Sequence, residues 1–258
     1  ERDGTLAMVL AMVVGDRALR PSGRTERLIR TGLNELLARQ MPDTATDRFL
    51  LEVARFVGHR VLREYPEARA IAQRLLLGTV EFETAAASRV GASSSLLIDF
   101  AVVNLLAGDQ QGAIDAATLI TDEIYPVLAH RRDALLALSH TIRGDLQSAD
   151  RALALIPAKA MRDSEGTIEG AAWRLARVHL LLEQGAVLDA FVELDGLRDR
   201  LHESELWPAT VWTSAYTRLV TGAAERGAAE LERGLEGMRR LGLSPSWEER
   251  LRAMRADL

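Results

Sequence analysis

The sequence predicts an all-α fold built from antiparallel helix pairs that stack into a solenoid. Two observations lead to this prediction, the composition of the chain and a spacing of glycines that repeats along it. Ala, Leu, Arg and Glu fill most of the 258 residues, and these residues favour helices. Aromatic residues make up only 5% of the chain, and strand patterns are absent. The apolar fraction of 48% is sufficient for a continuous core.

The spacing of four glycines is the second observation. The four glycines are Gly108, Gly144, Gly185 and Gly222, at intervals of 36, 41 and 37 residues. Each follows an apolar segment with helical periodicity. A glycine just past a helix end can adopt the left-handed conformation that other residues disfavour. The intervals bracket the period of tetratricopeptide (TPR) repeats, which are helix–turn–helix units. The spacing therefore predicts a TPR-like α-α superhelix.

Small residues keep the same register relative to these glycines. Five residues after them stand three alanines and one glycine: Ala113, Ala149, Ala190 and Gly227. Seven residues before them the side chains are again small: Ala101, Ala137, Val178 and Ala215. Because the distance between packed helices depends on the side chains at the contact, we expect the two helices of each unit to approach closely.

Fourteen helices are predicted in chain order. They cover residues 4–18, 24–40, 46–64, 66–78, 80–90, 94–107, 111–125, 130–143, 147–156, 166–184, 187–201, 208–222, 225–240 and 246–257. Asp109 and Asp145 follow two of the turn glycines and are expected to cap the next helix. Pro208 stands at a first-turn position, which also indicates a helix start. The stretch Gly91–Ser95 is interpreted as a connection between two helices.

The chain is expected to form one domain, residues 1–258. Clear repeats occupy 94–258, whereas the helices of 1–93 are less regular, as in degenerate repeats. No linker rich in Pro, Gly or Ser divides the two parts. Because the chain begins with Glu1 and its last predicted helix has no stop signal, we expect a piece of a longer protein.

Composition and charge disfavour several classes of partner. The chain contains no cysteine, which excludes disulfides and thiolate metal sites. Its longest apolar run, Leu6–Val14, is too short to cross a bilayer, so we predict a cytoplasmic protein without membrane contact. Acidic residues outnumber basic ones by 37 to 32, and the arginines are scattered among glutamates. This balance argues against direct binding of nucleic acid by the segment.

No motif in the sequence predicts catalysis. The chain has five histidines: His59, His130, His140, His179 and His202. No two of them have the i, i+4 spacing with a neighbouring glutamate that a helical zinc site needs. A phosphate-binding loop, a Gly-x-Ser-x-Gly elbow and a Gly-x-Gly-x-x-Gly turn are also absent from the sequence. These observations disfavour an all-α enzyme, and we predict neither a metal nor a cofactor.

Candidate binding residues follow from the register of the repeats. In TPR units the first helix of each pair lines the concave groove, which places five side chains there: Arg131, Thr141, His179, Trp212 and Tyr216. Trp212 and Tyr216 are four residues apart and share one helix face. Amphipathic aromatic side chains in a groove can anchor a peptide or a small ligand. The alternative for Trp212 is a place in the core.

The second half of the chain resembles a known family. Three patterns carry the resemblance: Leu138-x5-Gly144-Asp145-Leu146-x2-Ala149, Trp173-x2-Ala176-x4-Leu181-Leu182-x2-Gly185, and Leu206-Trp207-Pro208 before Trp212. Over Leu135 to Leu258 the chain resembles the TPR-like sensor region of large LuxR-type bacterial transcriptional regulators, those related to the maltose-regulon activator. Members of that family carry a nucleotide-binding ATPase module before the helical array and a DNA-reading helix-turn-helix after it.

The resemblance implies a role in sensing. A region of this kind binds an effector or a protein partner and changes the activity of the neighbouring domains. Neither the ATPase motif nor the recognition helix is present in this segment, so the resemblance implies no ATPase or DNA-binding activity for it. The alternative is a stand-alone TPR adaptor that binds a peptide of another protein. The sequence names no effector and leaves the oligomeric state open.

Overall fold

A computed structural model describes residues 23–38, 45–81, 88–120, 126–157, 159–160, 166–202, 204–242 and 244–257. These residues form twelve helices and no strand, which confirms the predicted all-α fold. In chain order the helices are α1 (Gly23–Ala38), α2 (Ala45–Val61), α3 (Tyr65–Glu81), α4 (Ser88–Leu106), α5 (Gln110–Thr118), α6 (Pro126–Ile142), α7 (Leu146–Ala154), α8 (Ile168–Glu183), α9 (Val187–Leu201), α10 (Trp207–Val220), α11 (Ala224–Leu241) and α12 (Pro245–Asp257).

Three of the predicted elements differ from the structure. The predicted helix 111–125 ends early, at Thr118, where the chain turns and buries Ile120 in the core. The stretch Gly91–Ser95 was expected to connect two helices, but it lies inside α4. Glycine and serine cost at most about 1 kcal/mol each in a helix, and the burial of residues such as Ile98 and Val103 in the same helix outweighs that cost. The predicted helix 80–90 is consequently divided between the end of α3 and the start of α4. The predicted helix 4–18 lies outside the described residues.

The four repeated turns have the predicted backbone conformation. Their glycines all have φ between 74° and 84°: Gly108, Gly144, Gly185 and Gly222. At the first turn the amide of Asp109 donates to the carbonyl of Asn104 at 2.8 Å, the bond that closes a Schellman motif. The carboxylate of Asp109 then accepts from the amide of Gly112, and Asp145 caps α7 in the same way. Both predicted caps are confirmed.

The helices pair in the register that the small residues predicted. Ala113, Ala149 and Ala190 are at most 1% exposed, as expected where a second helix passes close to the first. Each helix packs against the next one along the chain. In addition α4, α6, α8 and α10, the first helices of four successive units, pack side by side.

The last helix returns to an early part of the array. The hydroxyl of Ser244 donates to the carbonyl of Ala107 at 2.7 Å, and the indole Nε1 of Trp247 donates to the carbonyl of Leu105 at 3.2 Å. Trp247 is only 2% exposed. In a simple linear repeat array each unit contacts only its neighbours. Here α12 instead connects the fourth unit to the turn between α4 and α5, so the described array closes on itself.

One apolar cluster extends through most of the described chain, from Phe56 in α2 to Met254 in α12. Two large side chains at its centre, Leu105 and Leu206, come from segments about one hundred residues apart and are at most 1% exposed. The closure of the array therefore buries apolar surface from both halves. None of the helices in the described ranges is both long and apolar enough to span a membrane.

Candidate functional site

The structure brings three of the five predicted binding residues together. The ring of His179 in α8 stacks against both the Trp212 ring and the Tyr216 ring of α10, with ring centroids 4.9 Å and 4.8 Å away. The centroids of the two α10 rings are 5.9 Å apart. The imidazole Nε2 lies 3.2 Å from the hydroxyl of Thr213. The spacing of Trp212 and Tyr216 on one helix face thus produces a three-ring stack across two helices.

This aromatic stack lies largely inside the protein. His179 is 2% exposed and Trp212 is 9% exposed. Burial lowers the pKa of His179 to about 3, so its imidazole is neutral at pH 7. These observations favour the core role for Trp212 that the sequence left open as an alternative. Ligand binding by the stack stays a prediction.

The other two predicted residues have partners of their own. Thr141 is 1% exposed, and its hydroxyl donates to the carbonyl of Ala137 one turn earlier in α6. Arg131 donates from Nε and Nη2 to one carboxylate oxygen of Glu169, at 2.8 Å and 2.5 Å. Glu169 precedes His179 by ten residues, which is about 15 Å along α8. Arg131 therefore belongs to a different cluster from the aromatic stack.

That second cluster is a group of charges, three of them buried and two partly exposed, which we call the buried ion cluster: Arg60, Glu169 and Glu205 are buried, and Asp99 and Arg131 are partly exposed. Arg60 of α2 is 3% exposed, and its guanidinium lies 3.6 Å from the carboxylate of Glu205 and 3.9 Å from that of Asp99. Sequence reasoning did not find this cluster. Its members are separated by up to 145 positions, and no local spacing links them.

The carboxyl groups of the buried ion cluster respond differently to burial. Burial raises the pKa of Asp99 and of Glu205, although the charge of Arg60 opposes the shift. Burial also opposes ionisation of Glu169, but the charge and hydrogen bonds of Arg131 outweigh it and lower the pKa. Burial thus disfavours the negative charge of Asp99 and Glu205, whereas Arg131 stabilises that of Glu169.

The space beside the buried ion cluster is too small for a substrate. The adjoining cavity has a volume of about 30 Å³ and is lined in part by Tyr65, Ser204 and Glu205. A volume of this size holds a water molecule. We interpret the cluster as an ionic connection between α2 and the segment that precedes α10.

A much larger cleft opens on the other side of α10. It has a volume of about 440 Å³ and lies between α9 and α11, with α10 as its floor. We call it the α9–α11 cleft. Its apolar lining comes from Leu201, Trp207, Val211 and Gly234. Ligand sites in proteins usually measure about 300–1,000 Å³ and combine an apolar lining with a few polar groups.

The charged lining of the α9–α11 cleft is strongly basic. It comprises four arginines and one glutamate, a formal charge of +3 in a chain whose net charge is −5: Arg198, Arg218, Arg226, Arg233 and Glu230. One oxygen of Glu230 accepts from Ser214 Oγ at 2.7 Å, and the other accepts from Arg218 Nε at 2.8 Å. Burial disfavours ionisation of Glu230, but these hydrogen bonds outweigh it and lower the pKa.

Two arginines of the cleft have no carboxylate partner among the described residues. Arg233 donates only to the carbonyl of Ala229, at 3.2 Å, and Arg226 makes no ion pair in the described part of the chain. Sequence reasoning missed both because it considered only the first helix of each pair. The available signal was their spacing of seven residues, which places both on one face of α11.

A second cleft of similar size occupies the corresponding place in the first two units. It lies between α5 and α7 with α6 as its floor, and its volume is about 400 Å³. Arg132 pairs there with Asp133 at 2.7 Å, and Arg151 donates to Ser148 Oγ at 3.0 Å. The formal charge of its lining is +1, with the histidine neutral. A cleft at the corresponding place between two units is therefore not always strongly basic, and the charge of +3 belongs to the α9–α11 cleft in particular.

Comparison with known proteins adds no relative to this description. No protein-family model, no curated protein and no solved structure matches the chain. Within the described residues, no group of three or more His, Asp or Glu side chains is arranged to hold a metal ion. The interpretation of function therefore depends on the sequence patterns and on the geometry of the clefts.

Proposed function

We propose that this chain is a TPR-like sensor region that binds an effector or a protein partner and passes that binding to flanking domains, as in LuxR-type transcriptional regulators. The four glycine turns support the TPR-like assignment because they occur at regular intervals and share one backbone conformation. The residue patterns from Leu135 to Leu258 support the assignment to the regulator family.

The α9–α11 cleft carries the proposal. Its walls come from two successive units, with α9 in the third unit and α10 and α11 in the fourth. An occupant contacts both units at once and therefore favours one arrangement of the third unit relative to the fourth. A binding site of this kind converts occupancy into a change between helix pairs, which is the property a sensor needs.

The contacts of α12 connect the α9–α11 cleft to the rest of the array, so a rearrangement of the third and fourth units can affect other helices through α12. This helix packs on both α10 and α11, and its Trp247 and Ser244 bind the carbonyls at the end of α4. Packed helices and hydrogen bonds of this kind can carry energetic coupling between distant sites. The proposed role is one of binding and coupling, and it assigns no reaction to the chain.

The complete open reading frame tests the proposal. A sensor region of this family requires a phosphate-binding ATPase motif upstream of residue 1 and a helix-turn-helix downstream of residue 258. We expect sequencing of the full gene to show both. A frame that lacks both modules contradicts the regulator role and favours the stand-alone adaptor.

A further inference from the structure

We propose that the α9–α11 cleft binds a small organic anion, namely a carboxylate or a phosphate joined to an apolar group. The inference rests on the proposed sensing function, because it names the chemical class of the effector. It follows from three features of the cleft: its unbalanced positive charge, the placement of two arginines, and the apolar floor.

The positive charge is only partly compensated inside the cleft. Glu230 is the single acidic residue of the lining, and its two oxygens are already occupied by Ser214 and Arg218. Arg198 lies farther away, at 3.7 Å from the same carboxylate. Arg226 and Arg233 therefore line the cleft without an ion pair among the described residues. An anionic ligand supplies the missing negative charge.

Arg226 and Arg233 are placed to act on one ligand. They are two helical turns apart on α11, about 10.5 Å along the helix axis, and both side chains line the cleft. Guanidinium groups present paired N–H donors that match the oxygens of carboxylates and phosphates. Because both side chains are long and exposed, they can close over an anionic group from two directions.

The floor of the cleft requires an apolar part in the ligand. A bare phosphate or carboxylate fills only a small fraction of about 440 Å³, and the volume left over borders the apolar side chains of Leu201 and Val211. Trp207 also lines the cleft. An aromatic or aliphatic group on the ligand fills this volume and adds van der Waals contacts with these side chains to the ionic contacts.

The α5–α7 cleft serves as an internal comparison. It has nearly the same volume, but Asp133 pairs with Arg132 and leaves a formal charge of +1. If binding depended on cleft size and a generally basic surface alone, the two clefts would take the same ligands. The charge difference assigns the anion to the α9–α11 cleft.

Isothermal titration calorimetry on the 258-residue chain at low salt tests the inference with four probes: phenyl phosphate, benzoate, inorganic phosphate and benzyl alcohol. We expect the two aryl anions to bind more tightly than inorganic phosphate or the neutral alcohol. The double variant Arg226→Gln/Arg233→Gln should weaken the binding of phenyl phosphate by about tenfold or more, because each guanidinium contributes a charge-assisted hydrogen bond.

The matched control is Arg27→Gln/Arg48→Gln, which removes the same charge from two exposed arginines of α1 and α2. Its affinity for phenyl phosphate should equal that of the unmodified chain. Equal losses in the two double variants, or no binding of any aryl anion, overturn the inference. Benzyl alcohol that binds as tightly as phenyl phosphate also overturns it. That last result leaves the proposed sensing function standing, since the open reading frame tests that function separately.

Discussion

At the residue scale, the turn glycines share one backbone conformation but have different surroundings. Gly108 has φ of +84°, and a Cβ added there would lie 2.8 Å from the Cβ of Ser246 in α12. Gly144 has φ of +81°, and nothing lies within 4 Å of an added Cβ. The first glycine is therefore required by its conformation and by the close approach of α12, and the second by its conformation alone.

We predict that Gly108→Ala destabilises the chain more than Gly144→Ala. Both substitutions force alanine into the left-handed region, which costs roughly 1–2 kcal/mol. Gly108→Ala also forces α12 away from the turn, at an additional cost of about 1–3 kcal/mol. Urea unfolding of the two variants measures the difference. Equal losses of unfolding free energy would mean that α12 does not pack on this turn.

The buried imidazole of His179 predicts a dependence of stability on pH. Its pKa is about 3 in the folded protein and near 6.5 in the unfolded chain. Between these values the unfolded state binds more protons, so stability falls as pH falls from about 6.5. Between pH 7 and pH 5 the folded chain should lose roughly 2 kcal/mol more than the variant His179→Gln, which keeps a hydrogen-bonding group for Thr213.

Chemical unfolding of both proteins at the two pH values measures this effect. All other titratable groups are common to the two chains, so the difference between them isolates His179. Identical pH dependence would show that the imidazole is accessible to protons in the folded state.

Some residue roles were predictable from sequence and others were not. Asp109 and Asp145 were expected as caps because each follows a turn glycine by one position, a purely local relation. The pairing of Arg60 with Glu205 joins residues 145 positions apart and depends on how the whole array closes. No local spacing carries that information.

At the scale of elements, α12 determines whether the array is open or closed. Its first turn binds two carbonyls at the end of α4 through Ser244 and Trp247. Its Arg250 donates to the carbonyl of Ile142 at the end of α6. The carbonyls of Ala107 and Ile142 lie at helix ends, where carbonyls lack a partner within the helix, and these side chains supply one.

We predict that Trp247→Ala lowers the free energy of unfolding by about 3–5 kcal/mol, because it leaves a large cavity where a nearly inaccessible side chain was packed. The control is Leu155→Ala at the end of α7, where the side chain is 63% exposed and the expected loss is within about 0.5 kcal/mol. Guanidinium chloride unfolding measures both. A loss for Trp247→Ala as small as that of the control would contradict the closed array.

Most helices were predictable from the sequence, and the stretch Gly91–Ser95 in α4 shows why one of them was not. Most helices from Gln110 onward follow apolar periodicity and glycine stops, and the structure places them within a few residues of the prediction, but the predicted helix 111–125 already ends at Thr118. Gly91–Ser95 was misinterpreted because glycine and serine are common in connections. Burial of the apolar residues that follow them in α4 decided the conformation, and burial is a tertiary property.

At the scale of the whole molecule, the pairing of helices was predictable and the closure was not. The glycine register depends on residues within one unit, whereas closure depends on contacts across more than one hundred positions. The α9–α11 cleft lies between these two cases, because its lining comes from two neighbouring units within residues 198–234. Its Arg226 and Arg233 are visible in the sequence as two basic residues of one helix, but their lack of a partner depends on where Arg218 and Glu230 meet.

The central claim is that occupancy of the α9–α11 cleft is coupled to the rest of the array. Hydrogen exchange of the 258-residue chain, with and without saturating phenyl phosphate, tests it most directly. We predict slower amide exchange in α9, α10 and α11 and also in α12, which packs on two of them. Unchanged exchange in α12, with protection confined to the cleft, would contradict coupling. Protection around the α5–α7 cleft instead would contradict the site itself.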